Sequence, residues 1–188
     1  MIAHPSRARI PPLSDDERDD NMRGLLDALR PSPDGPELNI FPTLARHPEL
    51  FRAWLPFGGF LLINSELPAR DREILTLRTA FNCRSDYEWG QHVPIAVTAG
   101  VTEDEIARVE TGPDGPAWAP FDAALLHAAD ELHADSCISE VTWRVLRSRY
   151  NDRQLIELCM LVGQYHLVAY ALNSLGVQRE PGVEGFTP

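Results

Sequence analysis

The longest apolar stretch in the chain runs from residue 155 to residue 177 and constrains the fold more than any other segment. It has the length of a membrane-spanning helix. Four polar side chains interrupt it, at Glu157, Gln164, His166 and Asn173, and such groups are costly in lipid. The stretch therefore predicts the buried helix of a bundle, with a neighbouring subunit as one surface against which it could pack.

The rest of the chain indicates further helices separated by proline and glycine. They are predicted over residues 14–29, 41–55 (broken at Pro48 and ended by Pro56), 68–80, 102–110, 121–134 and 139–150, with one more helix that opens near Ser85 and kinks at Pro94. No run alternates apolar and polar residues for long enough to indicate a sheet. The sequence therefore predicts an all-α fold.

The same punctuation divides the chain into three parts. Residues 1–36 are predicted to be an extension with one amphipathic helix and a proline-rich linker, residues 37–180 the main helical domain, and residues 181–188 a tail. A weak internal echo relates residues 71–77 (DREILTL) to residues 152–158 (DRQLIEL), and each copy leads to a helix that ends in Gly-Val. The echo indicates a duplicated helix pair rather than a strict repeat.

Composition excludes several classes of partner. The net charge of −11 argues against nucleic acid and anionic membrane, because both attract basic surfaces. The first residues lack the apolar core of a signal peptide, and three cysteines give no disulfide framework, so we expect a cytoplasmic protein. The histidines are scattered without ligand spacing, so we expect no metal and no cofactor.

Four polar residues between positions 73 and 92 form the candidate site: Glu73, Ser85, Glu88 and His92. Glu88 and His92 are four residues apart, so a helix places them on one face, while Glu73 lies on the preceding helix. Two carboxyl groups around an imidazole are typical of proton transfer. We expect His92 to act as general base or acid, Glu73 to relay a proton or set its protonation, and Glu88 to orient it.

The surroundings decide which carboxyl group is the acid. If Glu73 is buried, its pKa rises and it becomes the better acid. Glu88 lies in the first turn of its helix, where the helix N-terminus would lower its pKa. A purely structural interpretation of Ser85 and Glu88 is a capping box, a pattern that the chain repeats in residues 14–17 and 102–105.

Several neighbouring side chains are candidates for contact with a substrate. Aromatic walls are expected from Tyr87, Trp89, Phe57 and Trp54, and an acidic substrate would need a cation, for which Arg84 in the turn is the choice over Arg72 and Arg78. Ser85 and His166 complete the predicted binding residues. His166 shares a helical stripe with Tyr170 and Asn173, which either lines the same pocket or forms a hydrogen-bonded core stripe.

The spacing also carries a resemblance to a known family. The segments at residues 67–75 (LPARDREIL), 87–92 (YEWGQH) and 99–106 (AGVTEDEI) resemble the carboxymuconolactone decarboxylase family, which includes the alkylhydroperoxidase D-type proteins. The peroxidatic branch of that family has the signature Glu-x11-Cys-x-x-Cys-x3-His. Glu73 and His92 match it, whereas Ser85 and Glu88 stand at its two cysteine positions.

The resemblance implies an alkylhydroperoxidase D-like helical bundle that assembles as a homo-oligomer, as a trimer or a hexamer of trimers. Because the dithiol is missing, it favours the decarboxylase branch: acid–base chemistry, as decarboxylation or lactone or keto-acid proton transfer, on a small organic acid. Two alternatives stay open. One is antioxidant activity through a single thiol, Cys83, and the other is a non-catalytic oligomeric binding protein.

Overall fold

The computed structural model describes residues 3–32, 34–115 and 118–186, and in these ranges the chain forms nine α-helices and no strand. The prediction of an all-α fold is confirmed. Residues 1, 2 and 33 of the predicted extension, 116 of the second linker, and 187–188 of the predicted tail lie outside the described residues. The helices are α1 (Asp20–Ala28), α2 (Ile40–Leu44), α3 (Pro48–Ile63), α4 (Ala69–Asn82), α5 (Asp86–Thr98), α6 (Glu103–Thr111), α7 (Pro120–Asp135), α8 (Glu140–Arg147) and α9 (Asp152–Leu175).

Helix α4 forms the centre of the bundle and packs against α5, α6, α7 and α9. Its apolar residues Ile74, Leu75 and Leu77 are completely buried, and burial of each such side chain stabilises the fold by about 1.5–3 kcal/mol. Because α4 is surrounded on several sides, its polar residues Asp71 and Glu73 are buried as well. A buried carboxyl group needs partners, so α4 brings polar chemistry into the core.

The long apolar segment forms α9, whose apolar residues are divided between the core and the surface. By length and composition this helix could cross a membrane, yet 56% of its most apolar window is buried against the rest of the protein. Leu158 and Leu161 are fully buried in the main core. The helix ends at Gly176, which has a left-handed backbone conformation (φ 70°) that suits glycine.

Two predicted helices at the N-terminal end were wrong in their boundaries. The segment 14–29 divides into a 3-10 turn (Asp15–Glu17) and α1, because Asp19 accepts a hydrogen bond from the amide of Met22 and starts a new helix. Pro56 does not end its helix; it lies inside α3, which continues to Ile63. The apolar residues after Pro56 favour continuation more than the lost backbone hydrogen bond opposes it.

The predicted flanking parts pack onto the central bundle. Met22 and Leu26 of α1 form a second apolar cluster with Ala45 and Phe51. At the other end, Phe186 lies against Trp89 of α5, with 5.1 Å between ring centroids. The boundaries at residues 36/37 and 180/181 stay a prediction.

The internal echo corresponds to unequal structures. Residues 71–77 lie within α4, and a turn separates α4 from α5, whereas residues 152–158 begin the uninterrupted helix α9. Both copies end at a glycine in the left-handed region, Gly100 (φ 93°) and Gly176 (φ 70°).

Candidate active site

A cavity of about 430 Å³ opens between α1, α3, α5 and α9. Its size lies within the range of small-molecule sites. Apolar side chains form most of its wall, among them Leu29, Trp54, Leu55, Leu62, Val168 and Leu172. Apart from Arg30 after α1, the polar side chains of the lining lie on α5 and α9, and they are Tyr87, Glu88, Gln91, His92, Gln164 and Tyr165.

The structure joins His92 and Glu73 directly. Nδ1 of His92 lies 2.7 Å from Oε2 of Glu73, and both side chains are buried. The other carboxylate oxygen of Glu73 accepts a hydrogen bond of 3.0 Å from Nε of Arg72. The ring of Tyr165 lies edge-on against the imidazole at 4.8 Å. His92 is therefore fixed in orientation on the cavity wall.

The electrostatic surroundings of Glu73 are opposite to the expectation. Burial pushes its pKa upward, but the hydrogen bonds and charges of His92 and Arg72 outweigh burial, so the pKa lies below its ordinary value. An ionised Glu73 can only accept hydrogen bonds, so Nδ1 of His92 donates to it. The prediction that Glu73 is the better acid was wrong, because the sequence does not show that Arg72 turns back onto its neighbour.

Glu88 has the raised pKa instead. Its carboxyl group is buried, and neither oxygen has a hydrogen-bond partner among the described residues. Burial raises its pKa well above the ordinary value of a glutamate. The helix N-terminus does not lower it, in contrast with the expectation, because desolvation of a fully buried carboxylate exceeds a helix-dipole effect of about 0.3–1 kcal/mol.

The capping-box interpretation of Ser85 and Glu88 was also wrong. Ser85 precedes the first residue of α5 but makes no side-chain cap, and its buried hydroxyl has no partner among the described residues. The same pattern in residues 102–105 does form a capping box, in which the amide of Glu105 donates to the hydroxyl of Thr102 at 3.2 Å.

The reason that Ser85 makes no cap lies in the turn before it. The amide of Ser85 donates to the carbonyl of Ala80 (2.8 Å), and the amide of Arg84 donates to the carbonyl of Phe81 (2.9 Å). Arg84 has the left-handed conformation (φ 52°). These bonds form a Schellman motif that ends α4 and turns the Ser85 side chain inward.

The predicted binding residues have different positions. Tyr87 lines the cavity, and its hydroxyl donates to Glu180 at 2.8 Å. Trp89 is buried in the core against Phe186, and exposed Arg84 does not line the cavity. Of the other predicted aromatic walls, Trp54 lines the cavity and Phe57 does not.

His166 does not line the cavity, in contrast with one of its two interpretations. Its Nε2 is instead 2.9 Å from Nδ1 of His133 on α7. One donor atom each of Cys83, His133 and His166 lie within 4.8 Å of one another. Asn173 from the same stripe donates to the carbonyl of Cys83 at 2.9 Å. The fold thus brings together histidines that are scattered in sequence.

Sequence reasoning missed several polar residues of both places. Gln91, Gln164 and Tyr165 line the cavity, and His133 approaches His166. Gln91 lies six residues after Ser85, on the predicted helix that carries Glu88 and His92, so its place in the sequence could have indicated that it lies near the site. His133 gave no such signal, because it is separated from His166 by an entire helix, α8.

One family model and several solved structures are similar to this chain. Residues 48–131 match the family model of the carboxymuconolactone decarboxylase family. No curated protein matches the chain. The family match includes Glu73, Ser85, Glu88 and His92, but not α8 or α9.

Solved structures match over nearly the whole chain at low sequence identity. One is the alkylhydroperoxidase AhpD core of an uncharacterized peroxidase-related protein from Ralstonia eutropha JMP134, with a TM-score of 0.81, 21% identity and 95% of each chain covered. Another is an uncharacterized peroxidase-related protein from Silicibacter sp. TM1040, with a TM-score of 0.81, 14% identity and 97% of each chain covered.

A third similar structure is a variant of the debrominase Bmp8 in complex with 2,3,4-tribromopyrrole. Its TM-score is 0.70 at 14% identity, with 92% of this chain and 91% of that chain covered. At these identities the likeness shows the fold alone: the alkylhydroperoxidase D-like helical bundle.

Proposed function

We propose that this chain, whose residues 48–131 match the family model of the carboxymuconolactone decarboxylase family, carries out acid–base chemistry on a small organic acid in the cavity. The reaction is a decarboxylation, or a proton transfer beside a lactone or keto-acid carbonyl. Glu88 carries the proposal, since it is a buried carboxyl group with a raised pKa and no protein partner among the described residues. An unsatisfied buried carboxyl group costs stability, and such groups gather at functional sites.

His92 supplies the base in this proposal. Glu73 is ionised and accepts a hydrogen bond from Nδ1–H, so neutral His92 has its lone pair on Nε2. Glu73 does not line the cavity, and it acts through His92 as a positioning residue. The roles of the two glutamates are thus exchanged relative to the expectation from the sequence: Glu88 is the acid and Glu73 holds the base.

The two groups divide one proton transfer between them. In a proton transfer, Nε2 of His92 takes the proton from the carbon beside the carbonyl while Glu88 donates its own proton to the carbonyl oxygen, which gives an enol. In a decarboxylation, the carbon–carbon bond to the carboxylate breaks, carbon dioxide leaves, and the electron pair enters the conjugated carbonyl that Glu88 protonates. His92 then takes up a proton from solvent and delivers it to the carbon, while the enol returns its proton to Glu88, so one proton from solvent is consumed for each carbon dioxide released.

The cavity wall favours a substrate with an apolar body. Trp54, Leu62 and Val168 line it, and apart from Arg30 its polar side chains lie on α5 and α9. Arg30 is the one guanidinium among the described residues of the lining, and it replaces Arg84 as the candidate partner of a substrate carboxylate. Arg30 already contacts Asp27 at 3.2 Å, so substrate would compete with that exposed ion pair.

Deuterium exchange tests the proposal on a panel of compounds from the expected substrate class. Small lactones and keto acids are incubated with the protein in deuterated buffer, and loss of the α-proton signal is followed by proton NMR. Glu88→Gln and His92→Asn should lower the enzyme-dependent rate by about 10²–10⁴-fold. The wild-type rate should fall as the pH rises through the raised pKa of Glu88, because the acid form is lost.

A matched control uses a glutamate outside the cavity. Glu103→Gln, at the exposed start of α6, should keep the wild-type exchange rate. Full activity of Glu88→Gln with every active compound would overturn the assignment of Glu88 as the acid. Absence of exchange across the whole panel would remove the proton-transfer function.

Peroxide reduction through Cys83 is the second candidate, since two of the similar structures are described as peroxidase-related. Burial raises the pKa of the Cys83 thiol to about 12. The thiol is therefore protonated at neutral pH, and a thiol reacts slowly with peroxide. Peroxide consumption with an added thiol reductant should be the same for wild type and Cys83→Ser; a loss in the variant would favour the peroxidase.

A binding protein without catalysis is the third candidate, favoured by the apolar character of the cavity. The relative bound to 2,3,4-tribromopyrrole suggests this compound as a probe. Binding in the cavity should quench the fluorescence of Trp54, and Trp54→Phe should remove that change. Tight binding by wild type together with no exchange activity on the panel would support this function over catalysis.

A further inference from the structure

Cys83, His133 and His166 form a cluster of metal-ligating side chains outside the cavity. Their donor atoms lie within 4.8 Å of one another. They come from the end of α4, from α7 and from α9, so three packed helices hold them. None of the three lines the cavity. The cluster is therefore separate from the proposed active site.

His166 is oriented as a metal ligand by its own helix. Its Nδ1 lies 2.8 Å from the carbonyl oxygen of Val162, one turn earlier in α9. A carbonyl oxygen only accepts, so Nδ1 carries the proton and donates it. Nε2 then has the lone pair, and it points to Nδ1 of His133 at 2.9 Å. A backbone carbonyl that fixes the tautomer is the usual outer partner of a metal-bound histidine.

The other two ligands are held in position and reachable. Cys83 is the residue after α4, and its carbonyl accepts a hydrogen bond of 2.9 Å from Asn173. His133 is exposed, which gives an ion a path to buried His166. Arg78, whose charge acts on His133, is paired with Asp130 by two hydrogen bonds of 2.6 and 2.9 Å, so that carboxylate offsets its charge.

We propose that Cys83, His133 and His166 bind one Zn²⁺ ion with a fourth coordination position open to solvent. One thiolate and two imidazoles suit Zn²⁺, and three protein ligands with one open position are typical of reactive zinc sites. Tetrahedral bonds of about 2.0–2.3 Å place ligand atoms about 3.3–3.6 Å apart. The two ring nitrogens must separate by about 0.5 Å to reach this geometry.

Binding balances its protons within the cluster. The thiol of Cys83 releases its proton to water as the sulfur–zinc bond forms. The proton on Nδ1 of His133 is lost to solvent, and its other ring nitrogen takes one up, so that both histidines bind as neutral imidazoles. One proton in total is released for each ion bound at neutral pH.

Cobalt spectroscopy tests the site directly. Tag-free protein, treated with chelator and then dialysed, is titrated with Co²⁺ as a probe for Zn²⁺. One equivalent should produce the near-ultraviolet thiolate-to-cobalt charge-transfer band and the visible bands of four-coordinate cobalt. Zn²⁺ should displace Co²⁺ and remove both sets of bands.

Variants with matched controls locate the ion. Cys83→Ser should lose the charge-transfer band, and Cys137→Ser should keep it. His133→Gln, at an exposed position, should weaken Zn²⁺ binding by more than about 100-fold, since loss of an outer partner alone costs about 10–100-fold. His127→Gln on the same helix should bind as wild type does. Circular dichroism confirms that each variant is folded.

Three outcomes would overturn the proposal. They are the absence of a charge-transfer band in wild type, its persistence in Cys83→Ser, and unchanged Zn²⁺ affinity in His133→Gln. The readout is independent of catalysis, so the proposal stands or falls separately from the proposed function. Glu88→Gln, which should strongly lower the rate of proton exchange, should still bind one Co²⁺.

Discussion

Glu73 and Glu88 are the same residue type in opposite electrostatic surroundings, although both are buried on adjoining helices. Arg72 and His92 give Glu73 partners that favour its ionised form. Glu88 has no such partner among the described residues, and burial favours its protonated form. The two side chains are chemically identical, so their different partners decide their roles. Glu73 orients the base His92, and Glu88 is the acid.

Glu88→Gln should change how stability depends on pH. The folded protein holds a proton on Glu88 that the unfolded chain loses above its ordinary pKa. Wild-type stability therefore falls as pH rises from there to the raised pKa, by at most about 1.4 kcal/mol per pH unit from this group. Glutamine has no such charge, so the melting temperature of Glu88→Gln should exceed that of wild type more at pH 8 than at pH 5.

The control for this measurement is the same substitution at an exposed glutamate, whose ionised form is not destabilised by burial. Glu103→Gln should shift the melting temperature little and equally at both pH values, because its side chain is exposed. A constant difference between Glu88→Gln and wild type from pH 5 to pH 8 would contradict the raised pKa of Glu88.

The candidate residues themselves were predictable, but their charges were not. The spacing of Glu73, Glu88 and His92 is written in the sequence and indicates a shared region. Burial and partners decide the protonation, and they depend on the inward turn of Ser85 and on Arg72. Neither has a local sequence signal, so the two glutamates received each other's role.

At the scale of elements, the turn between α4 and α5 determines the direction in which α5, the helix that carries Glu88 and His92, begins. It is a Schellman motif with an arginine in the left-handed position that glycine usually takes. A non-glycine residue there costs about 1 kcal/mol or more. The sequence did not indicate the motif, because Arg84 gives no sign of a left-handed conformation.

Substitutions of Arg84 should reveal this cost. Arg84→Gly should leave the free energy of unfolding within about 0.5 kcal/mol of wild type, because relief of strain offsets the greater freedom of the unfolded chain. Arg84→Val should lower it by about 1 kcal/mol or more, since a branched side chain fits the left-handed region poorly. Denaturant unfolding measures both.

The same pair of variants tests a functional expectation. Arg84 is exposed and outside the cavity, so both folded variants should retain the proton-exchange rate of wild type. A loss of exchange in Arg84→Gly without a loss of stability would return Arg84 to the site.

Gly90 is the point at which α5 packs closely against the C-terminal segment, the described residues after α9 (176–186). A Cβ atom at this position would lie 2.5 Å from the carbonyl oxygen of Glu184 and 2.7 Å from a methyl carbon of Val183. Gly90→Ala should therefore displace the segment and lower the free energy of unfolding by about 1–3 kcal/mol. Because Phe186 lies against Trp89, the tryptophan fluorescence should change too.

Gly24 provides the matched control for that substitution. It lies in α1, and no atom comes within 4 Å of a Cβ built there. Gly24→Ala should stabilise the protein by about 0.5–1 kcal/mol through helix propensity. If Gly90→Ala were as stable as Gly24→Ala, the C-terminal segment would not be packed on α5.

At the scale of the whole molecule, α9 presents an apolar stripe to solvent. Ile156, Met160, Leu167 and Tyr170 are 49–64% exposed and repeat at helical spacing. Exposed apolar stripes of this kind mark contact surfaces. We expect α9 to mediate the homo-oligomer, a trimer or hexamer, that the family resemblance implies.

Light scattering after size exclusion tests this expectation. Wild type should have the mass of a trimer or hexamer, and Leu167→Glu should have a smaller mass, because a charge would be buried in the contact. Val141→Glu, at an equally exposed apolar position on α8, should keep the wild-type mass. A monomeric wild type would contradict the expected assembly.

The all-α architecture and the core residues of the first site followed from the sequence, whereas the cavity wall around them and the Cys83–His133–His166 cluster did not. Helix periodicity and end signals are local, and they predicted most of the nine described helices. The cavity needs Trp54 of α3 opposite His92 of α5, and the zinc cluster needs His133 near His166. Such juxtapositions arise from helix packing, which no short pattern encodes.

The hydrogen bonds of Glu180 make one backbone amide a reporter of the C-terminal segment. This buried carboxylate accepts from the amide of Asn39 at 2.6 Å, across 141 residues of chain, and from Tyr87 in the cavity wall. The amide of Asn39 can exchange with solvent deuterium only when that bond opens. Its exchange rate therefore measures how often the segment that carries Glu180 separates from Asn39. Because Glu180 also holds Tyr87 of the cavity wall, this one amide resonance reports local opening beside the cavity.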